Sequence, residues 1–299
     1  MMIARSILFL LVSTLLFFAG CEELTKLDEQ ETTNHGNGAE PSKMIFIPAG
    51  EFTMGSDFSP KPDFQDGITD EGFSDEHPEH TVYLSDYLMD VTEVTNAQYR
   101  ECVLDGACTE PRTSESLTRE DYYTNPAFDN YPVLSVTWYQ AQTYCQWAGK
   151  RLPTEAEWEK TARGAADERN YPWGDDEPTC GLSNYGEVIE IDGSTQVGCI
   201  GDTQPVASYP FGMSPYGVFD MAGNVSEWVS DWYNADYYNS DIFPDNLINP
   251  QGPPDGSLKV VRSGSFIDRS FFIRAAMRSK QNPYLGMPHI GFRCAKNAG

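Results

Sequence analysis

Trp147-Ala-Gly-Lys-Arg-Leu-Pro-Thr-Glu-Ala-Glu-Trp-Glu159 holds the end of one helix and the start of the next. Gly149 suits the left-handed exit of a helix that opens at Thr137-Trp-Tyr-Gln140. Thr154-Glu-Ala-Glu157 is a capping box. Its Thr oxygen accepts from an early helix N–H while the Glu reaches back to the cap, so a helix runs from here to Gly164. Upstream, Thr95-Asn-Ala-Gln98 repeats the pattern and predicts a helix ending near Gly106. Short strands flank these helices. Met44 to Gly55 reads as two strands about a Pro-Ala-Gly turn, and His80 to Asp90 as another. Beyond Gly164 loops dominate, and only Pro205–Tyr209, Glu227–Tyr233, Val260–Phe266 and Gly291–Ala295 read as strands. A few helices against short strands, joined by long loops, make one irregular, loop-rich α+β domain over residues 44–299. There is no second linker and no internal repeat.

The N-terminus has a different character. Arg5 precedes an apolar run, Ile7 to Phe18, too short to span a bilayer comfortably, so residues 1–20 read as a secretory signal. Phe18-Ala19-Gly20-Cys21 resembles a bacterial lipobox, which predicts lipidation of Cys21 as the mature N-terminus and an exported chain anchored to the bacterial cell envelope. Residues 21–43, rich in Glu, Thr, Asn and Gly, bury too little to fold and read as a disordered tether. The chain carries a net charge of −25. Loss of residues 1–20 removes Arg5 and no acid, giving about −26. Such a surface repels nucleic acid. Asp57 to Glu79 has eight acids against Lys61 alone and reads as a solvated loop.

Apart from Cys21 there are six cysteines: Cys102, Cys108, Cys145, Cys180, Cys199 and Cys294. An even number in an exported chain predicts disulfides, and six cysteines allow fifteen connectivities. Cys102 and Cys108 enclose an Asp-Gly turn, and Cys180 and Cys199 flank a Gly- and Asp-rich loop, so both pairs are expected from proximity. Zinc is the rival reading, but there is no CxxC spacing and the four histidines are scattered.

Several stretches together carry a family resemblance. They are Ile47-Pro-Ala-Gly-Glu-Phe-Thr-Met-Gly55, Val91-Thr-Glu-Val-Thr-Asn-Ala-Gln-Tyr99, Pro132-Val-Leu-Ser-Val-Thr-Trp138, the 147–159 run, and Tyr171-Pro-Trp-Gly174. Asp220-Met-Ala-Gly-Asn-Val-Ser-Glu-Trp228, Val261-Arg-Ser-Gly-Ser-Phe266 and Ile290-Gly-Phe-Arg-Cys294 follow. In this order they resemble the sulfatase-modifying (formylglycine-generating enzyme) family over nearly all of Met44 to Lys296. The resemblance implies an irregular α+β fold similar in part to C-type lectins, and a Cys145–Cys294 disulfide. It also implies structural calcium at Asp220, Gly223, Val225 and Glu227, through two carboxylates and two backbone carbonyls. A second calcium site would draw on Asn184, Tyr185 and an acid near Asp202. Active members are copper-dependent oxidases with two cysteine thiolates, ligands that suit Cu(I). Anchored on Arg278-Ser279, those positions are Ser270 and Ala275, in a segment from Ser265 to Arg274 that looks shortened, so copper is not expected.

Other candidates have plainer readings. His77 and His80 read as a surface turn and a strand start. Arg151 and Glu155 to Glu159 read as local ion pairs, and the six tryptophans read as core. Three functions compete. The first is a non-catalytic binding or scaffold lipoprotein whose partner is an envelope protein or glycan, with the membrane reached through the lipid. The second is a formylglycine-generating oxidoreductase acting on a sulfatase cysteine. The third is a sulfoxide synthase of the ergothioneine type, which would need an iron-binding helical domain that this chain has no room for. A fold alone does not choose among them.

Overall fold

All three capping boxes form. In the computed structural model, α1 (Asn96–Leu104), α2 (Trp138–Trp147) and α3 (Glu155–Arg163) each begin at a Thr whose hydroxyl accepts from the backbone three residues on, and that residue's side chain accepts from the Thr N–H. The structure describes residues 42–57, 74–165, 169–186, 188–191, 194–239 and 247–299. The signal segment, Cys21, the tether as far as residue 41 and most of the acidic run lie outside the described residues. No helix among the described residues is long and apolar enough to cross a membrane.

The strands split more finely than the sequence predicts. β1 (Met44–Ile47) and β2 (Gly50–Met54) join different sheets. The stretch read as one strand from His80 forms two, β3 (His80–Leu84) and β4 (Tyr87–Asp90). β3 pairs with β2, whereas β4 lies between β1 and the C-terminal β11 (Ala295–Asn297). The Asn249 side chain accepts from Ser85 N at 2.7 Å and pins the break between them. The hairpin β5 (Val188–Ile191) and β6 (Ser194–Val197) was not legible in the sequence.

The central sheet orders β10 (Ile290–Phe292), β7 (Ser226–Trp232), β8 (Lys259–Arg262) and β9 (Ser279–Gln281), with β10 parallel to β7. β8 stops at Arg262, short of the expected Phe266, because Ser263 and Gly264 both take left-handed backbone angles. Pro205–Tyr209 is not a strand: Ala207 has φ +62° and donates its N–H to the Asp220 carboxylate at 2.7 Å. The expected strand at Gly291–Ala295 divides, Phe292 ending β10 and Ala295 opening β11 in another sheet.

The main apolar core packs α1 and α2 against Trp228, Val261, Ile290 and Phe292 of the central sheet. A second gathers β1 to β4 around Ala156, and a third surrounds Trp158. Disulfides link Cys102–Cys108, Cys145–Cys294 and Cys180–Cys199, the expected pairing. All nine residues of α3 are buried, although they include three Glu, a Lys and an Arg. That requires partners from elsewhere in the chain, and those partners organise the site.

Candidate functional site

α3 turns its charges inward. Glu155 accepts from Arg278 through both oxygens, at 2.8 and 3.0 Å, and from Arg262 at 3.0 Å. Glu159 accepts from Arg262 at 2.7 Å and from the Gly55 N–H at 2.8 Å, and lies 3.2 Å from Arg163. Glu157 keeps the local pair the sequence predicts, with Arg151 at 2.6 Å, but Glu155 and Glu159 find cations more than a hundred residues away. Burial alone would push the Glu155 carboxyl up; the charges of Arg278 and Arg262 outweigh it and hold the group below the usual carboxylate range.

This network reaches Ala275 and, through Arg274, the turn that begins at Ser270. Ser270 opens a single 3-10 turn, Ser270–Ile273, and is half-buried. Ala275 is buried; its N–H donates to the Asn170 carbonyl at 2.7 Å and its carbonyl accepts from Arg262. Between them, Arg274 grips Glu76 with two bonds, at 3.0 and 2.7 Å. All six cysteines among the described residues are in disulfides, including Cys294, the one nearest in sequence.

A second buried cluster meets Trp158 at its indole N–H. The turn from Asp220 to Glu227 curls through left-handed angles at Asp220, Gly223 and Asn224. Gly223 is obligatory here, since a Cβ would stand 2.4 Å from both the Asn184 carbonyl and the Ser183 hydroxyl. Asp220 accepts from Ala207 N. Glu227 accepts from Arg293 at 2.7 and 2.8 Å and from the Trp158 indole at 2.8 Å. The buried Glu93 carboxyl, from the turn ahead of α1, accepts from Asn224 at 2.9 Å through one oxygen and lies in hydrogen-bond contact with Asp220. Its other oxygen faces no donor group, and neither does the buried Asn184 side-chain oxygen. Burial, then the Asp220 charge, pushes the Glu93 carboxyl well above the usual range, and burial pushes Asp220 up as well.

Three acids therefore share one arginine in the dry interior. Either a proton or a cation must settle the excess, because an unpaired buried carboxylate is costly. No group of three His, Cys, Asp or Glu side chains among the described residues is arranged to hold a metal ion, so a cation here would lean on backbone carbonyls. The hard oxygen donors, the excess negative charge and the two oxygens facing no donor fit calcium in chemical type. Glu227 is the exception, since its oxygens already receive Arg293 and Trp158. Of the residues named for a second site, Asn184 and Asp202 meet through one backbone bond, while Tyr185 and the Asp202 carboxylate are engaged elsewhere. Asn184 donates to the Asp202 carbonyl, Tyr185 to the Pro178 carbonyl, and the Asp202 carboxylate is taken by Ser116, Thr118 and Thr203.

The sulfatase-modifying factor enzyme 1-like domain matches residues 29–298 of this sequence. The chain belongs to that family. Formylglycine-generating enzyme of Thermomonospora curvata is 32% identical over 84% of this chain and 92% of its own length. A serine/threonine-protein kinase pkn1 of Chlamydia caviae is 37% identical over 85% of this chain, which spans only 38% of the kinase's length. Among solved structures, PvdO from Pseudomonas aeruginosa aligns with a TM-score of 0.62 and 26% identity, covering 85% of this chain and 94% of PvdO.

Within this family frame, the structure gathers Asp220, Gly223, Val225 and Glu227 in one buried turn and sets Ala275 against Arg262. Sequence reasoning missed Glu93, Asn224 and Arg293 as members of the acid cluster. All three lie inside motifs quoted for the resemblance. A single acid ahead of a helix, or a single arginine in a strand, reads alone as a cap or an ion pair.

Proposed function

We propose that this chain is a non-catalytic binding or scaffold member of the sulfatase-modifying factor family, exported and anchored to the cell envelope through lipidated Cys21. The observation that carries the reading is the pair Ser270 and Ala275 at the positions where the family's thiolates are expected, with the six domain cysteines held in disulfides. A hydroxyl and a methyl group do not replace two soft thiolates on Cu(I). The fixed domain instead presents its loops to an envelope protein or glycan. Calcium at Asp220, Gly223 and Val225, with Glu93 beside them and Glu227 of the expected set kept by Arg293, offsets the excess buried negative charge and stiffens the turn; its role is structural.

The rival reading, a formylglycine-generating oxidoreductase, draws on the 32% identity to enzymes of that name. One assay separates the two. The full chain is incubated with a sulfatase-type cysteine peptide, copper and oxygen, and the peptide mass is followed. Unchanged peptide is the expected result; copper-dependent loss of sulfur with formation of an aldehyde overturns the non-catalytic reading.

A further inference from the structure

The surface formed by α2 and the loop beside it differs from the rest of the chain. In a sequence that is 22% charged with a net charge of −25, there is no Asp, Glu, Lys or Arg from Pro132 to Gly149, nor from Gln281 to Ile290. The two segments are fastened to each other. Trp138 N donates to the Pro283 carbonyl and Ser135 N to the Met287 carbonyl, both at 3.1 Å. The packing is so close that a Cβ on Gly286 would lie 2.1 Å from the Ser135 carbonyl. Asn282 fixes the loop tip, its side chain accepting from Tyr284 N and its carbonyl from Leu285 N, each at 3.0 Å.

This anchored loop holds Tyr284 70% exposed, and α2 holds Tyr139 37% exposed beside it. The rings sit 5.0 Å apart, with 3.3 Å between their hydroxyls. Further along α2 the exposed side chains are Thr143, Gln146 and Trp147. Charge returns at the margins, with Asp105 accepting from the Trp147 indole at 3.0 Å, with exposed Glu110, whose carbonyl accepts from Gln140 at 2.8 Å, and with exposed Arg112 and Lys280.

Aromatic rings held in water on a fixed scaffold add little to the fold and form a surface ready for a partner. The absence of charge argues against a partner recognised by ion pairs. Amides and hydroxyls both donate and accept, which matches a rim of hydroxyl groups. Flat rings match the apolar C–H face that a sugar ring presents. From Tyr139 to Trp147 the helix rises about 12 Å, the length of a short oligosaccharide rather than of one sugar. The strongly acidic remainder of the chain repels polyanions. We propose that α2 and the 282–285 loop bind a neutral polysaccharide, its sugar rings stacking on Tyr139 and Tyr284. This deepens the binding role proposed above and rests on it.

Native electrophoresis of the full chain through gels containing a mannan, a β-glucan, a galactomannan or, in a separate arm, anionic alginate tests this. At least one neutral polysaccharide should retard the wild type. Salt at about 0.5 M should leave the retardation unchanged, since no ion pair is involved. Tyr139→Ala with Tyr284→Ala should weaken it roughly tenfold or more at an unchanged melting temperature, because both side chains are exposed. Thr143→Arg, which places a bulky charge on the same face, should do the same and serves if the double variant fails to fold. The inference is overturned if no neutral polysaccharide retards the chain, if only alginate does and salt abolishes it, or if folded variants bind like the wild type. Peptide turnover in the copper assay would sink the non-catalytic reading; absent retardation without turnover sinks this inference alone.

Discussion

Two charge clusters are buried against Trp158, one over its ring face and one at its indole N–H, and they are built on opposite principles. Below Arg262, whose guanidinium lies 5.3 Å over the Trp158 ring, the arginines at 163, 262, 274 and 278 face Glu76, Glu155 and Glu159, and Arg278 also feels the Asp75 charge. Beyond the indole N–H, Glu93, Asp220 and Glu227 face Arg293 as their one cation among the described residues. The matched cluster is complete without any ligand and ties down Ala275 and the turn that begins at Ser270. The unmatched one needs a proton or a cation. The segment of Arg274 and Ala275 is thus a strut tied by the matched cluster, while the turn from Asp220 to Glu227 keeps a demand for positive charge.

The largest effect should come from breaking the matched side. Arg262→Met leaves Glu155 and Glu159 buried with less compensation and should lower the unfolding free energy by about 3–5 kcal/mol, read by urea denaturation. A loss under about 1 kcal/mol, the range of exposed pairs, would show that water reaches these acids. Next is the covalent tie between α2 and the segment carrying Arg293. Replacing Cys145 and Cys294 together by Ala should cost roughly 2–5 kcal/mol, and an unchanged melting temperature would contradict the bond.

Asp231 sharpens the contrast from the edge of the matched cluster. It accepts from the Glu155 N–H and from Ser230, with no cation in contact, and burial followed by the Glu155 charge pushes it up to about 7. Its ordinary value is 3.8, so its contribution to stability is fully present below about 4 and lost as pH rises through about 7. Asp231→Asn should therefore gain stability over wild type progressively between those values, by up to a few kcal/mol. Parallel stability curves for the two proteins across that window would refute the assignment.

The smallest effect is expected at Glu93. Glu93→Gln keeps a donor toward Asp220 and an acceptor for Asn224, so the metal-stripped protein should change by about 1 kcal/mol or less. A loss of about 3–5 kcal/mol, the cost of breaking a buried ion pair, would show that Glu93 is ionised and paired.

What was legible in the sequence follows from range. The three capping boxes were readable because donor and acceptor lie three residues apart. Two disulfides were readable because their cysteines are near neighbours, while Cys145–Cys294, separated by 149 residues, came only through resemblance. The partners of α3 were hidden: nothing local tells Glu157, which pairs with Arg151, from Glu155 and Glu159, which reach Arg262. Strand limits failed where a single residue turns left-handed, at Ala207 and at Ser263. Tertiary bonds set those angles, and residue preference had no means to signal them.

Both halves of the comparison meet in one experiment: thermal melting of the metal-stripped full chain titrated with calcium and, separately, with Cu(I), for the wild type and Glu93→Gln. Calcium should raise the wild-type melting temperature by binding the folded state, less so in Glu93→Gln, and Cu(I) should leave both unchanged. A rise with Cu(I) and none with calcium would contradict the account, placing the metal chemistry at the strut and leaving the acid cluster settled by a proton alone.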